Sequence, residues 1–474
     1  MSKEISFILN QELVRINDVD PNTTVLNYLR DIKNLRGTKE GCASGDCGAC
    51  TAVIVELIND RLVYKSINTC IMFIYNLHGK QLITVEHLKD NTKLHPVQKS
   101  MVDYGGSQCG FCTPGFIMSM FSMYKNKITP TKKNIDEHLA GNLCRCTGYK
   151  PIYIATKNMN KYGKSDHFSK TEKKIKNKLK SINNNVAISY LDKEFFIPSN
   201  LNNLKENINE YKNFKFLSGG TDLALEVTKK RKSIESFIFL GNNNDLKYIK
   251  VVDNNILIGG ATPINDTINI LKKYYPAIAD MYMRYGSTQI RNVATIGGNI
   301  ANASPIGDSA PALISLDSSV TIEGNKTKII KLKDFFISYK RTVLQKNEFL
   351  KEIIIPIDKN SIFKCYKISK RFDDDISAVF MAINLKQKNQ IINKISITLG
   401  GMAEIPKKAI NTEKFLNRKK FNYNNIIKAK EYLADDFNPI NDMRASKKYR
   451  KIISQNLLEK FYYEVTNNKT ISVN

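Results

Sequence analysis

Apolar positions alternate in ISFIL (5–9), break at Asn10-Gln11-Glu12 and resume in LVRI (13–16), a period of two that predicts a hairpin. Thr23 or Thr24 then stands as an N-cap before VLNYLRD, so a helix should follow. Past a stretch rich in glycine and cysteine, TAVIVEL and RLVYKSI flank Asn59-Asp60 as two further strands, closing a small α+β unit over residues 1–85. Residues 86–155 change character. Thr113-Pro114 reads as N-cap and first helical residue of a helix through GFIMSMFSMY, and Thr129-Pro130-Thr131 precedes a second helix, NIDEHLA, closed by Gly141. Residues 156–185 are polar and lysine-rich with few apolar positions to bury, and read as a linker. From 186 to 360, FKFLSGGTDLALEV, NILIGGATPINDTINIL and VATIGGNIANASPIGDSAPALISL each put glycines or small polar residues after an apolar strand, the pattern of a mixed α/β domain. Residues 361–474 hold strands in SAVFMAINL and KISITLGG and an amphipathic helix, YRKIISQNLLEKFYYEV, with Ile452, Ile453, Leu457 and Phe461 at helical spacing. That predicts a separate α+β domain.

A chain of 474 residues, 42% hydrophobic, fits this division into about three or four globular domains. The first residues lack the apolar core and small-residue cleavage site of a secretory leader, and no apolar run approaches the roughly 18 residues of a membrane span. The cytoplasm is the expected location. The net charge of +27 raises nucleic acid or an anionic membrane as a partner. Lysine is nevertheless spread along the whole chain together with Asn and Ile, and no groove-reading helix or aromatic RNA motif accompanies it. Neither partner is expected.

Cysteine changes the picture more. Eight of the nine cysteines fall in two groups, Cys42, Cys47, Cys50 and Cys70, then Cys109, Cys112, Cys144 and Cys146, while Cys365 stands alone and reads as a buried strand residue. Without a secretory leader such spacings point to metal, not disulfides. The first group has the C-x4-C-x2-C…C spacing of plant-type [2Fe–2S] ferredoxins. Gly41, Gly45 and Gly48 allow the tight turns that bring N–H groups toward the sulfurs. Zinc modules favour C-x2-C pairs on both sides, which is not the pattern here. The second group pairs Cys109-x2-Cys112 with Cys144-x-Cys146. Cys144 and Cys146 can share a metal site only if the chain leaves the helix between Gly141 and Gly148. On spacing alone, zinc stays open for this group.

The strings GTKEGCASGDCGACTAVI, HPVQKSMVDYGGSQCGFCTPGFIMSM and GNLCRCTGYKPI resemble the N-terminal region of the xanthine dehydrogenase and aldehyde oxidase family, the molybdenum hydroxylases. The resemblance implies two [2Fe–2S] clusters, one in a ferredoxin-like (β-grasp) domain over 1–85 and one in a four-helix bundle over 86–155. It also implies that Gln108, just before Cys109, touches the pterin of a molybdenum cofactor; a plain hydrogen bond to the cluster loop is the alternative.

Glycine loops such as SGGTD and TIGGN can offer backbone N–H groups to a phosphate, or be ordinary turns; neither is a G-x-G-x-x-G fingerprint. Here too the chain is similar to the family, whose flavin domain is of the vanillyl-alcohol-oxidase type. By matching position, Ser218, Gly219, Gly220, Thr221 and Asp222 would line the FAD pyrophosphate, with Phe216, Leu217 and Leu223 beside them as cofactor-binding residues. Thr295, Ile296, Gly297, Gly298, Asn299 and Asp308 would hold the rest of the nucleotide, with Leu350 and Lys367 as further contacts. Tyr285 falls where some relatives carry a phenylalanine beside the adenine. KISKRFDDDIS (367–377) resembles the loop near the flavin ring in NAD-linked members. Lys370 or Arg371 would receive NAD phosphates there, and Asp374 and Asp375 would tune the flavin, a solvated surface turn being the alternative.

The resemblance covers the domains at 1–155 and 186–474, with residues 361–474 as the C-terminal flavoprotein domain, and it matches the small iron–sulfur and FAD subunit of bacterial members. The molybdopterin part of longer relatives has no counterpart here. The expectation is therefore a molybdopterin-binding large subunit as partner, in a heterotetramer, with no catalytic residue of the molybdenum site on this chain. Electrons would pass singly from that site through two clusters to FAD and then to NAD, with xanthine or hypoxanthine as substrate. A reductase for another heterocycle or aldehyde would share every motif, an oxidase would deliver electrons to oxygen, and a zinc-bearing nucleic-acid scaffold is the reading from another class.

Overall fold

The computed structural model describes residues 1–163, 165–182 and 185–467. They form two compact units, Met1–Asp245 with Gly286–Ala294, and Leu246–Tyr285 with 295–467.

In the first unit the alternating segments pair as predicted. Strands β1 (Ile5–Leu9), β2 (Glu12–Ile16), β3 (Thr51–Ile58), β4 (Arg61–Asn68) and β5 (Gln81–Ile83) form one sheet in the order β2-β1-β5-β3-β4. β1 and β5 run parallel and the other pairs antiparallel. Ile5, Phe7, Val25, Tyr28, Leu29 and Ile54 are buried together beneath the sheet, and Thr24 caps the short helix after β2 by accepting from Asn27 N. Four helices follow, Pro96–Asp103, Thr113–Lys125, Lys132–Leu139 and Lys150–Asn158. Their apolar sides meet around Val97, Met120, Phe121, Ile135 and Ile152. Thr131 caps the third helix, accepting from Asn134 N. The second begins one residue early: Thr113 is its first residue and Cys112 takes the cap position.

The stretch read as a linker holds a helix, Phe168–Lys180. Only Phe168, Ile175 and Leu179 are buried in it, which is why the sequence looked too polar to pack. Ile175 and Leu179 sit with Ile8, Leu57 and Leu62 of the first sheet, and Phe168 joins the core of the helical bundle. Strands β6 (Val186–Tyr190), β7 (Lys193–Ile197), β8 (Phe214–Leu217) and β9 (Ser236–Phe239) complete the unit as a sheet in the order β6-β7-β9-β8, parallel at β7–β9 and β8–β9.

The second unit contains β10 (Ile249–Val252), β11 (Asn255–Gly259), β12 (Ser319–Glu323), β13 (Lys328–Lys331), the hairpin β14 (Phe336–Ser338) and β15 (Arg341–Thr342), and β16 (Phe349–Pro356). Five of these make an antiparallel sheet, β10-β11-β16-β12-β13. The strand expected before TIGGN is absent. Thr295 is instead the N-cap of a helix, Ile296–Ala301, accepting from Gly298 N at 2.9 Å. Strands β17 (Ile362–Ile368), β18 (Val379–Lys388), β19 (Ile391–Gly400) and β20 (Lys407–Lys408) form the last sheet, followed by helices Tyr423–Asp436 and Lys447–Asn467. Of the apolar positions singled out on the latter, Leu457 and Phe461 are buried but Ile452 is exposed; Leu458 takes the inward place.

Among the described residues no helix is long and apolar enough to cross a membrane.

Candidate functional site

The first cysteine group hangs on the loop before β3 and the turn after β4. Cys50 and Cys70 are buried, while Cys42 and Cys47 are partly exposed. The thiol of Cys42 meets those of Cys47 and Cys70, and Cys50 meets Cys70. Three backbone N–H groups, of Ser44 (3.4 Å), Asp46 (3.2 Å) and Cys47 (3.4 Å), also point at the Cys42 sulfur. The two neighbouring thiols, aided by these donors, hold Cys42 far below the usual thiol range, while the Cys42 thiol and burial hold Cys47 far above it. Gly48 turns the loop with φ +68°, where a side chain would be strained; its added Cβ would lie 2.1 Å from the carbonyl oxygen of Gly141.

In the second group, Cys112 immediately precedes the helix Thr113–Lys125, and Cys144 and Cys146 lie on the non-helical turn between the third and fourth helices. The chain does leave the helix between Gly141 and Gly148, as sharing a site requires. Cys109 meets Cys146 and Cys112 meets Cys144. Burial would raise Cys144, but the Thr147 hydroxyl and the N–H groups of Thr147 and Cys146 outweigh it and bring it to about 7. Burial, with the Cys144 thiol, pushes Cys112 up to about 12. Cys109 and Cys146 are exposed, and so is Gln108 beside them.

A direct bond joins the two loops: Leu143 N, one residue before Cys144, donates to the carbonyl of Cys47 at 3.0 Å. Among the described residues no three His, Cys, Asp or Glu side chains stand so as to hold a metal ion, and the thiols engage one another, in a run of four in the first set and in two pairs in the second. The donor sets are nonetheless all sulfur, with backbone N–H groups already aimed at Cys42 and Cys144. That chemistry suits an iron–sulfur cluster and not a hard cation.

The residues expected around FAD are spread over both units. In the first, Phe216 and Leu217 end β8, Ser218 to Asp222 form the turn after it, and Leu223 leads into the short helix Ala224–Thr228. Ser218 Oγ is buried without a hydrogen-bond partner among the described residues, and Gly219 lies so close to Val293 that an added Cβ would come within 2.0 Å of its carbonyl oxygen. In the second, Ile296, Gly297 and Gly298 form the first turn of the helix capped by Thr295. Asn299 donates from Nδ2 to the Tyr285 hydroxyl at 3.1 Å and leaves Oδ1 buried and unpartnered. Leu350 is buried at the start of β16. The Ser218 hydroxyl and the N–H groups of the glycine turns can donate to phosphate, and Asn299 Oδ1 can accept from a ligand N–H or O–H.

Asp308 and Lys367 meet each other. Lys367 Nζ lies 2.6 Å from Asp308 and 3.1 Å from Ser377 Oγ, and Ser377 donates to Asp308 at 2.6 Å, all three side chains buried. The loop after β17 is tied down by Arg284, which donates to the carbonyls of Phe372 (2.9 Å) and Lys367 (3.1 Å) and lies 4.4 Å from the Phe372 ring centre. Within the loop the Arg371 guanidinium donates to the Asp374 carbonyl and faces Asp375 at 4.0 Å, its main-chain N–H donates to Asp375, and Lys370 donates to the Met443 carbonyl. Ser377 and Arg284 were not singled out from sequence: a serine after three aspartates and an arginine before Tyr285 gain meaning only from partners far along the chain.

Four family models match the chain: a 2Fe-2S iron–sulfur cluster binding domain at residues 7–74, a [2Fe-2S] binding domain at 84–157, an FAD binding domain in molybdopterin dehydrogenase at 189–358 and a CO dehydrogenase flavoprotein C-terminal domain at 364–465. Both cysteine groups thus lie in domains that bind [2Fe–2S] clusters, not zinc, and FAD is the flavin indicated. Among curated relatives, a xanthine dehydrogenase of Emericella nidulans is 30% identical over 97% of this chain and xanthine dehydrogenase 1 of Arabidopsis thaliana 31% over 94%. The chain spans 38% of the length of each. Among solved structures, a carbon monoxide dehydrogenase from Hydrogenophaga pseudoflava aligns with TM-score 0.53 at 22% identity, over 55% of this chain and 93% of that one. Quinoline 2-oxidoreductase from Pseudomonas putida 86 aligns with TM-score 0.53 at 18% identity, over 58% and 96%. These two show shared fold.

Proposed function

Because the chain belongs to the xanthine dehydrogenase and carbon monoxide dehydrogenase family of molybdenum hydroxylases, we propose that it is the electron-transfer subunit of a xanthine dehydrogenase, joining a molybdenum site on a partner subunit to NAD. The observation that carries this reading is two all-cysteine sets joined by the Leu143–Cys47 hydrogen bond, in a chain that also carries the flavin domain. When bound, the clusters would supply one-electron transfer and FAD the exchange between single electrons and a hydride. Cys42, Cys47, Cys50 and Cys70 hold the first cluster and Cys109, Cys112, Cys144 and Cys146 the second.

The segments 216–223 and 295–299, with Tyr285, Asp308, Leu350 and Lys367, bind FAD. Lys367 neutralises Asp308 in the buried interior, and Ser377 fixes which carboxylate oxygen it takes. Arg284 keeps the 369–376 loop in one place, and Lys370 and Arg371 meet the NAD phosphates after giving up their carbonyl and carboxylate partners. Xanthine or hypoxanthine as substrate rests on the relatives named xanthine dehydrogenase, and it belongs to the partner, a molybdopterin-binding large subunit that Gln108 approaches. A cytoplasmic heterotetramer is the assembly this reading expects.

Purification under argon with iron, zinc and flavin analysis tests it. The expected result is about four irons and one FAD per chain, with the visible bands bleached by NADH. Colourless, zinc-loaded protein would overturn the electron-transfer reading, and an iron- and FAD-loaded protein that NADH leaves oxidised would overturn the NAD assignment alone.

A further inference from the structure

The two cluster loops meet around one buried amide. Gln289 lies in the segment Gly286–Ala294, which belongs to the first unit although the chain on either side belongs to the second. Its Nε2 is 3.0 Å from Asn142 Oδ1, 3.2 Å from Ser119 Oγ and 3.3 Å from Thr51 Oγ1. These acceptors come from three places: Thr51 follows Cys50, Asn142 is two residues before Cys144, and Ser119 is on the helix that begins after Cys112. All four side chains are at most 3% exposed.

The orientation of this network is fixed by its chemistry. Gly48 C=O can only accept, and it takes Thr51 Oγ1 at 2.7 Å and Asn142 Nδ2 at 3.0 Å. Asn142 therefore turns Oδ1 the other way, where it accepts from Ser119 Oγ at 2.7 Å and from Gln289. A flipped Gln289 would set two acceptors face to face. With Nε2 committed, Gln289 Oε1 is left buried and without a partner among the described residues, against Gly141, whose added Cβ would lie 2.4 Å from it. A buried acceptor left unmatched is costly, so packing alone would favour an apolar residue here.

We propose that Gln289 is a positioning residue that locks the two cluster loops to each other, so that the balance of reduction between the two clusters depends on its amide. Potentials of iron–sulfur clusters respond to the hydrogen bonds around their sulfurs. Gly48 and Thr51 bracket Cys50, and Gln289 braces the direct bonds that Asn142 makes to Gly48 and Leu143 to Cys47 by holding Thr51, Ser119 and Asn142 at once. The inference rests on the cluster assignment made above.

The test is Gln289→Met, which keeps length and bulk and removes the amide, followed by redox titration monitored by EPR on the full chain. With iron and FAD content as in the parent, the expected result is a change of about tenfold in the equilibrium constant for sharing an electron between the clusters, or 59 mV for a one-electron couple, with altered signals from both. Retained iron with parental potentials and spectra overturns the proposal, whatever happens to thermal stability. If Gln289→Met loses iron, Ser119→Ala removes one acceptor and keeps the amide; a shift in the same two potentials supports the lock, and unchanged potentials overturn it. A parent that binds no iron would refute the proposed function instead.

Discussion

The two cysteine sets have the same ligand count but opposite surroundings. The first is backed by a sheet: Cys50 and Cys70 are 1% and 3% exposed, and the turn at Gly48 is stacked against Gly141. The second sits at the ends of helices, with Cys144 buried but Cys109, Cys146, Phe111, Leu143 and Tyr149 exposed and nothing within 4 Å of a Cβ added at Gly110. A buried set is protected by its fold, whereas an exposed set needs something else to cover it. In the proposed complex that cover is the molybdenum subunit, so in the isolated chain the second cluster should be the labile one.

Removing a ligand gives the largest effect. Cys70→Ser should abolish the first cluster and cut iron from about four to about two per chain, and Cys109→Ser should do the same at the second site. The sharper comparison is chelation of the unmutated chain. Iron loss should be biphasic, and the signal of the second cluster, identified by its absence in Cys109→Ser, should go first. Simultaneous loss would mean that exposure does not govern lability.

Glycine substitutions come next. Gly48 and Gly110 both have positive φ, +68° and +85°, so alanine carries backbone strain of about 1–2 kcal/mol at either. At Gly110 nothing lies within 4 Å of the added Cβ and the strain is the whole effect, whereas at Gly48 the backbone of Gly141 stands 2.1 Å away and the loops must separate. Gly48→Ala should therefore lose the first cluster during purification while Gly110→Ala keeps both, as iron analysis and EPR will show. Equal iron in the two variants would contradict the close approach of the loops.

Much of this was legible in the sequence, and the reasons are local. Strands β1 to β4 were readable as short apolar runs bounded by turns, β3 being apolar on both faces with Ala52 and Ile54 in one core and Val53 and Val55 in the other; the cysteine sets were readable because a cluster demands four thiols at fixed spacing. The helix Phe168–Lys180 was not, because three buried residues in thirteen carry too weak a pattern. The helix opened by Thr295 hid behind Ile296-Gly297-Gly298, since two glycines argue against a helix unless something caps it. The pairing of Lys367 with Asp308 and the lock at Gln289 join residues 59 and up to 238 positions apart, separations at which no local pattern speaks.

That unread helix is latched to the bundle by a buried carboxylate, which brings a third contrast between the sites. Asp166 accepts from Lys125 Nζ at 2.8 Å and from His95 Nε2 at 3.0 Å, with its side chain 1% exposed. Burial alone would raise its pKa, but these two donors hold it well below the usual carboxylate range. Asp166→Ala leaves both donors buried without a partner and should cost about 3–5 kcal/mol, read by thermal unfolding. Hydrogen exchange should place the loss in residues 96–162 and spare β1 to β4.

The smallest effect, and the most selective, is that of pH. His95 Nδ1 accepts from Val97 N at 3.3 Å while Nε2 faces Asp166, so the fold specifies the neutral ring. Burial lowers the pKa of His95 and brings His138 to about 4, from an ordinary 6.5. Between pH 6.5 and about 4 the unfolded chain therefore binds protons that the folded chain refuses, and stability falls as pH falls. The Asp166 contribution has the same sign but a lower window: it is present above 3.8 and lost as the pH drops below that value. Both histidines and Asp166 bear on the bundle. Lowering the pH from 7 to 5 should loosen peptides of residues 96–162 in hydrogen exchange before those of residues 5–83, and release iron from the second site first. A His95→Gln variant, which presents its amide to Asp166 and does not titrate, should lose part of that pH dependence; if its profile overlays the parent's, the neutral ring of His95 is not what makes the bundle sensitive to acid.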